Sequence, residues 1–288
     1  YQRLLLREKG GRQEMVPHEL IMTATPIPRT LAQAFYADLD VSVIDELPPG
    51  RKPVDTVVLP DTRRAEVVER VHAACRAGRQ TYWVCPLIEE SDQLQAEAAT
   101  ETAAALSAAL PELRIALVHG RMKPAEKEAV MHAFKEGAIQ LLVATTVIEV
   151  GVDVANASLM IVENAERLGL SQIHQLRGRV GRGAAQSTCV LLYHAPLSEN
   201  ARERLSILRK THDGFEIARR DLEMRGPGEV LGTRQTGEQA FHIADLVRDQ
   251  ALLPRIEHAA SLLQQKYPRH VTPLIQRWLG LREHYGEV

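Results

Sequence analysis

VDTVVLPDTRRAEVVERVHAACRAGRQTYWVCPLI, residues 54–88, sets two apolar runs on either side of an amphipathic stretch. VDTVVL (54–59) reads as a β-strand, and the residues that follow predict a helix over about 62–77. Asp61 or Thr62 can cap the start of that helix, and Gly78 stands just past its end. QTYWVCPLI (80–88) is a second strand, which makes the stretch a strand–helix–strand unit. The pattern then repeats. A helix is expected over about 93–109, a strand at RIALVHG (114–120), and a helix over about 124–136 ending near Gly137. IQLLVATT (139–146), ASLMIVENA (157–165) and STCVLLY (187–193) complete the apolar runs. Near-continuous apolar strands alternating with helices predict an α/β fold, a parallel sheet covered on both faces. Ligands of such sheets gather at the carboxyl ends of the strands.

On either side of this unit the character changes. HELIMTATP (18–26) reads as one further strand, and LPPGRKP (47–53) as a linker rich in proline and glycine. Beyond 193, residues 198–223 are helical in period, MRGPGEVLGTRQTG (224–237) is rich in glycine and turns, and 240–285 returns to helix. Composition sets bounds on partners. Among 288 residues, 45% are hydrophobic and 25% charged, the balance of a globular protein with ample core. Aromatics at 4% argue against a wide stacking platform for single-stranded bases. A net charge of −2 gives no bulk positive field, so an anion would have to be met by a local patch. Cys75, Cys85 and Cys189 form no C-x-x-C pair, which fits a reducing cytoplasm, and no His-x-x-x-His pair suggests a metal site. The apolar runs are too short to span a membrane, and the charged N-terminus lacks the form of a signal peptide.

One local patch stands out. In QIHQLRGRVGRG (172–183), Arg177, Arg179 and Arg182 fall within six positions, with Gly178, Gly181 and Gly183 among them. Ser171 can cap a short helix that brings Gln175, Arg179 and Arg182 onto related faces, at spacings of four and three. Guanidinium forks suit phosphate oxygens, and the glycines allow another surface to come close. HGRMKPAEKE (119–128) and ATTVIEVGVDV (144–154) each end a strand and open a helix, where free amides can meet phosphate. Thr145 and Thr146 can donate hydroxyls to a DNA phosphate or serve as caps. Trp83, inside an apolar strand, is read as core.

Together these segments resemble a family. QLRGRVGR resembles motif VI of superfamily 2 helicases, TATP (23–26) motif III, ATTVIEVGVDV motif V, and HGRMKPAEKE the motif before it. MTATPIPRTLAQAFYADLDVSVIDELPPGRKPV (22–54) and DLEMRGPGEVLGTRQTG (221–237) are similar to the RecG branch of fork-remodelling DNA translocases, the second to its TRG element. The resemblance implies a RecA-like second helicase lobe followed by a helical hairpin-loop appendix. The expected division is 1–47, end of a first lobe and inter-lobe segment, 48–196, second lobe, 197–240, TRG-like hairpin and loop, and 241–288, a C-terminal helical segment. It also implies roles. Arg179 and Arg182 would act as arginine fingers on ATP, with Gln175 between nucleotide and DNA. Gly151 and Asp153 would lie near the ribose, and Thr23, Ala24 and Thr25 would couple the lobes. Thr145, Thr146, Arg225, Arg234 and Gln235 would contact or move DNA. ATP and Mg²⁺ would be the cofactors, and forked or branched DNA, such as stalled forks and Holliday junctions, the substrate of a cytoplasmic, monomeric enzyme.

Two features temper the analogy. VSVIDELP (41–48) has the form of a Walker B strand, but in this superfamily the Asp-Glu motif precedes TATP, so Asp45 and Glu46 read as linker residues. No Gly-Lys pair occurs anywhere, so the phosphate loop G-x-x-x-x-G-K-[ST] is absent. That absence and the missing initiator Met lead to the expectation of a C-terminal half, with the wedge and first lobe before Tyr1 and no ATP hydrolysis by this part alone. The transcription–repair coupling translocase, which shares the motor, and a non-catalytic nucleic-acid-binding module are the alternative readings. Charge does not separate them: residues 200–238 hold eight Lys or Arg and seven Asp or Glu, as solvated helices would.

Overall fold

The six apolar runs between 54 and 193 all become strands in the structure, a computed structural model. It describes residues 20, 22, 42–44, 46, 51–86, 92–145, 154–183, 185–225 and 252–279. The strands are β1 (Asp55–Pro60), β2 (Gln80–Val84), β3 (Ile115–Val118), β4 (Leu141–Ala144), β5 (Ala157–Val162) and β6 (Thr188–Tyr193). Every pairing is parallel, and the order is β1-β6-β5-β2-β4-β3. Parallel neighbours need crossovers, which α1 (Arg64–Arg76), α2 (Asp92–Ala109), α3 (Pro124–Lys135) and α4 (Leu170–Arg177) supply.

Successive strand residues point to opposite faces, so strands apolar throughout demand cover on both. On one face Trp83, Val143, Ile161 and Val190 pack with Val67 and Val71 of α1 and with Ala99 and Leu106 of α2. On the other, Tyr82, Leu142, Met160 and Leu191 pack with Phe134 of α3 and with Ile173 and Leu176 of α4. Two further helices, α5 (Glu199–Lys210) and α6 (Gly214–Arg225), enter this second core through Leu205, Leu208 and Ile217. Each such fully buried side chain contributes roughly 1.5–3 kcal/mol relative to exposure. Trp83 is fully buried, with the Arg64 guanidinium 5.0 Å from its ring centroid.

The helix stops follow the glycines. Gly78 and Gly137 take φ of +83° and +76°, a left-handed turn that glycine adopts at little cost. The start of α1 differs from expectation. Neither Asp61 nor Thr62 caps it; a 3-10 turn, Asp61–Arg63, leads into the helix, and the Asp61 carboxylate meets His194 instead. Pro60 pairs with Tyr193 across β1 and β6, which brings the two strand ends, and therefore these side chains, together. The hydrogen bond from His194 lowers the pKa of Asp61.

Residues 42–44 have no regular secondary structure and Glu46 is exposed, in keeping with a linker; Asp45 lies outside the described residues. Of HELIMTATP only Leu20 and Met22 are described, and both are exposed. The chain divides into two compact units, one holding the sheet with α1 to α6, the other holding α7 (Leu253–Lys266) and α8 (Pro268–Leu279). All three cysteines are buried free thiols, and burial pushes Cys85 and Cys189 up to about 12, so neither is a ready nucleophile. No described helix is long and apolar enough to cross a membrane.

Candidate functional site

The arginine-rich stretch does not continue as a helix. α4 stops at Arg177, Gly178 is its C-cap, and Arg179 and Arg182 stand on the turn beyond it. Ser171 is not the cap: the helix begins after Gly169, whose N–H donates to Gln172 Oε1 at 3.0 Å. Ser171 Oγ instead donates to Asp221 Oδ2 of α6 at 2.7 Å, fastening the start of α4 to that helix.

The three arginines part company by environment. Arg177 is buried, at 4% exposure, while Arg179 is half-buried and Arg182 exposed. A buried cation is costly unless its donors are satisfied. Arg177 Nη1 donates to the carbonyls of Leu208 at 3.1 Å and Thr211 at 3.0 Å, and reaches Thr56 Oγ1 at 3.4 Å. The two carbonyls belong to the end of α5, where helix oxygens lack partners and the dipole is negative. Arg177 Nη2 lies 2.9 Å from His174 Nδ1, which accepts only if unprotonated. Burial first, then the Arg177 charge, holds His174 down to about 4, so this ring stays neutral at pH 7. Burial likewise lowers the Arg177 pKa. Arg177 is therefore a fastener between α4 and α5, and of the three arginines Arg179 and Arg182 are the ligand candidates.

The glycines position the turn. Gly181 has φ of +78°, and a Cβ there would stand 2.8 Å from Val54 Cγ2. A Cβ on Gly183 would stand 2.3 Å from the carbonyl oxygen of Ala155. The close approach that glycine permits is thus first to the chain's own residues, the Val54 side chain and the Ala155 carbonyl, ahead of β1 and β5. Asp55 N donates to Ser187 O in the same region. These contacts put Arg179 and Arg182 at the amino edge of β1, β6 and β5, because α4 runs back against the strands. The rule of ligands at the carboxyl ends does not reach this pair.

The opposite, carboxyl edge carries the other candidates. Thr145 follows β4 there; it is 2% exposed, and its hydroxyl has no hydrogen-bond partner, so it is not a cap. After β5, at the same edge, Arg64 Nε donates to Glu163 Oε1 at 2.7 Å. After β3, Lys127 Nζ donates to Gly120 O at 2.6 Å, closing the HGRMKPAEKE loop on its own helix. Gln175 is half-buried on α4. Thr23, Ala24, Thr25, Thr146, Gly151, Asp153, Arg234 and Gln235 lie outside the described residues, and of Arg225 only its place at the end of α6 is described. The guanidinium pair suits a nucleotide phosphate. No group of three His, Cys, Asp or Glu among the described residues could hold Mg²⁺.

Sequence reasoning grouped Arg177 with its neighbours and passed over Arg51 and Asp221. No signal marked Arg177, since burial is not written in a three-arginine run. Asp221 lay in a segment with balanced charge, and Arg51 in what read as a linker.

Residues 63–184 match the model of the helicase conserved C-terminal domain, and 211–282 that of the C-terminal part of domain 3 of the ATP-dependent DNA helicase RecG. The chain is 64% identical to the ATP-dependent DNA helicase RecG of Escherichia coli over 99% of its own length and 41% of that protein. It is 61% identical to the Pasteurella multocida protein of the same name, over 100% of this chain and 42% of that one. A solved structure of RecG bound to a three-way DNA junction superposes with a TM-score of 0.66 at 47% identity, covering 83% of this chain and 31% of that one. The chain thus spans about two fifths of the length of the curated relatives it matches.

Proposed function

Because the chain belongs to the RecG family of helicases and corresponds to the C-terminal portion of its members, we propose that it is the second motor lobe of an ATP-dependent translocase on branched DNA. The observation that carries this reading is the separation of the arginines. Arg177 is spent on α5, while Arg179 and Arg182 stand on a glycine turn seated against Val54 and the Ala155 carbonyl. Such a turn supports two guanidinium groups at a fixed place on the lobe surface, ready to meet a phosphate brought by another lobe.

Phosphoryl transfer needs positive charge where negative charge develops on the phosphate oxygens. ATP supplies the transferable phosphoryl group, and its cradle and Mg²⁺ sites would belong to a first lobe. Arg179 and Arg182 would bind and neutralise the phosphate oxygens when the lobes close, Gln175 would stand between nucleotide and DNA, and Gly151 and Asp153 would approach the ribose. Thr23, Ala24 and Thr25 would pass the nucleotide state between lobes. At the other edge the buried Thr145 hydroxyl would have to be uncovered before it could, with Thr146, donate to a DNA backbone. Arg225, Arg234 and Gln235 would couple the motor to duplex movement, and forks and junctions would be the substrates. The Ser171–Asp221 and Arg177–α5 bonds give the hairpin that precedes this loop a direct hold on the arginine helix.

Arginine fingers are worth roughly 10³–10⁵ in rate. In a full-length helicase carrying this chain, Arg182→Ala is expected to lower DNA-dependent ATP turnover by about 10³-fold with forked-DNA affinity within about twofold. Turnover unchanged by that substitution would remove the finger assignment.

A further inference from the structure

Two arginines converge on one oxygen. Arg51 Nη2 donates to the carbonyl of Gly178 at 3.2 Å, and Arg182 Nε reaches the same carbonyl at 3.4 Å. Gly178 is the C-cap of α4, so its oxygen is among those a helix leaves without an internal partner, at the negative end of the dipole. Arg51 comes from the segment ahead of β1, 127 residues away in sequence. The rest of that segment also follows the arginine turn. Val54 packs against Gly181, and Gln186 Nε2 donates to Pro53 O at 3.1 Å and to Asp55 Oδ2 at 3.0 Å.

We propose that Arg51 is a positioning residue for the arginine turn, keeping the Gly178 carbonyl paired while Arg182 leaves it for a phosphate oxygen. The inference rests on the reading that Arg182 meets nucleotide. Its physical basis is the shared acceptor. With Arg51 present, Arg182 can swing outward and the helix-end oxygen keeps a charged donor. Without Arg51, the described side-chain donor left to that oxygen is Arg182, the longer bond, and departure of Arg182 would strand a half-buried carbonyl. Arg182 would then be held on its own helix. The segment that joins this lobe to whatever precedes it would thus set how readily the finger engages, which places a control of hydrolysis in what reads as a plain linker. The Arg51 charge also helps keep His174 unprotonated, adding to the effect of Arg177.

The test is steady-state, fork-dependent ATP hydrolysis by a full-length helicase carrying this chain, with Arg51→Ala, Arg51→Lys, Arg182→Ala and the Arg51→Ala/Arg182→Ala pair. Arg51→Ala is expected to lower kcat roughly tenfold, with KM for ATP and Kd for a synthetic fork within about twofold. Arg51→Lys, which restores a cationic donor, should recover most of that loss. In single-turnover measurements the double variant should match Arg182→Ala alone, since Arg51 acts through Arg182. An unchanged kcat in Arg51→Ala, a loss confined to KM or fork affinity, or a double variant slower than Arg182→Ala would overturn the inference. Full turnover in Arg182→Ala would instead sink the finger reading beneath it. Should Arg51→Ala fail to fold, Arg51→Met, which keeps the aliphatic stem, carries the same expectations and the same refutations.

Discussion

A guanidinium group means something different at each of three neighbouring positions. Arg177 is desolvated, and four polar partners offset the cost of burying its charge. Arg179 and Arg182, a few residues on, stay at the surface of the turn. His174 records the difference, because burial beside Arg177 holds its pKa well below the ordinary value. Its folded pKa of about 4 lies below its ordinary value of 6.5. Unfolded chains therefore bind a proton that the folded chain refuses between those values. Stability from this ring is fully present above about pH 6.5 and is lost as pH falls toward 4, by about 3 kcal/mol. Urea titrations at pH 7 and pH 4.5 should show the loss, and His174→Gln, which keeps an acceptor but cannot titrate, should remove that share of it. An equal acid slope in the variant would assign the effect to other groups. None of this was legible from QIHQLRGRVGRG, where three arginines read as one cluster.

At the scale of the element, α4 and its turn are placed by contacts on every side. Ser171 joins the helix to α6, Arg177 to α5, and Arg51 caps its far end. The glycines divide into two kinds. Gly178 has αR backbone, and a Cβ there would lie 3.3 Å from the Gln175 carbonyl, a tight contact that a shift of a few tenths of an ångström relieves. Gly183 would drive a Cβ to 2.3 Å from Ala155 O, a backbone atom that cannot turn aside. Gly178→Ala is expected to change stability by less than about 1 kcal/mol, and Gly183→Ala to cost about 2–3 kcal/mol. Thermal unfolding of both variants checks the contrast, and similar losses from the two would mean the Ala155 contact yields. The expected helix carrying Gln175, Arg179 and Arg182 on related faces failed here for a local reason. The helix ends at Arg177 with Gly178 as its C-cap, before either finger candidate is reached, and left-handed Gly181 turns the chain between the two.

Across the whole molecule, the two candidate surfaces lie on opposite edges of one sheet. Arg179 and Arg182 stand at the amino edge, and Thr145 with the HGRMKPAEKE loop at the carboxyl edge. A lobe so arranged can touch a nucleotide with one edge and a DNA backbone with the other, which is what a motor must link. It holds two finger candidates but no phosphate loop, since no Gly-Lys pair occurs in its 288 residues. The isolated chain is therefore expected to show no ATP turnover above background, with or without a synthetic fork, in a phosphate-release assay. Fork-stimulated turnover by this chain alone would mean that ATP is held without such a loop, and the account of a half-motor would have to be abandoned.

Some features needed only the order of residues. Strand identity, the parallel sheet with both faces covered, and the helix stops at Gly78 and Gly137 follow from apolar runs and glycine backbone freedom, which are local properties of the chain. The family follows too, because its motifs are contiguous strings. Other features required the tertiary structure. It seats α5 and α6 in the same core as the sheet, turns Arg177 inward, moves the finger candidates to the amino edge, and brings Arg51 to the end of α4. These depend on contacts between residues more than a hundred positions apart, 127 for Arg51 and Gly178, and such contacts are chosen by how burial, helix-end oxygens and charge are satisfied together. A sequence names the donors; only the packed chain decides which acceptor each one meets.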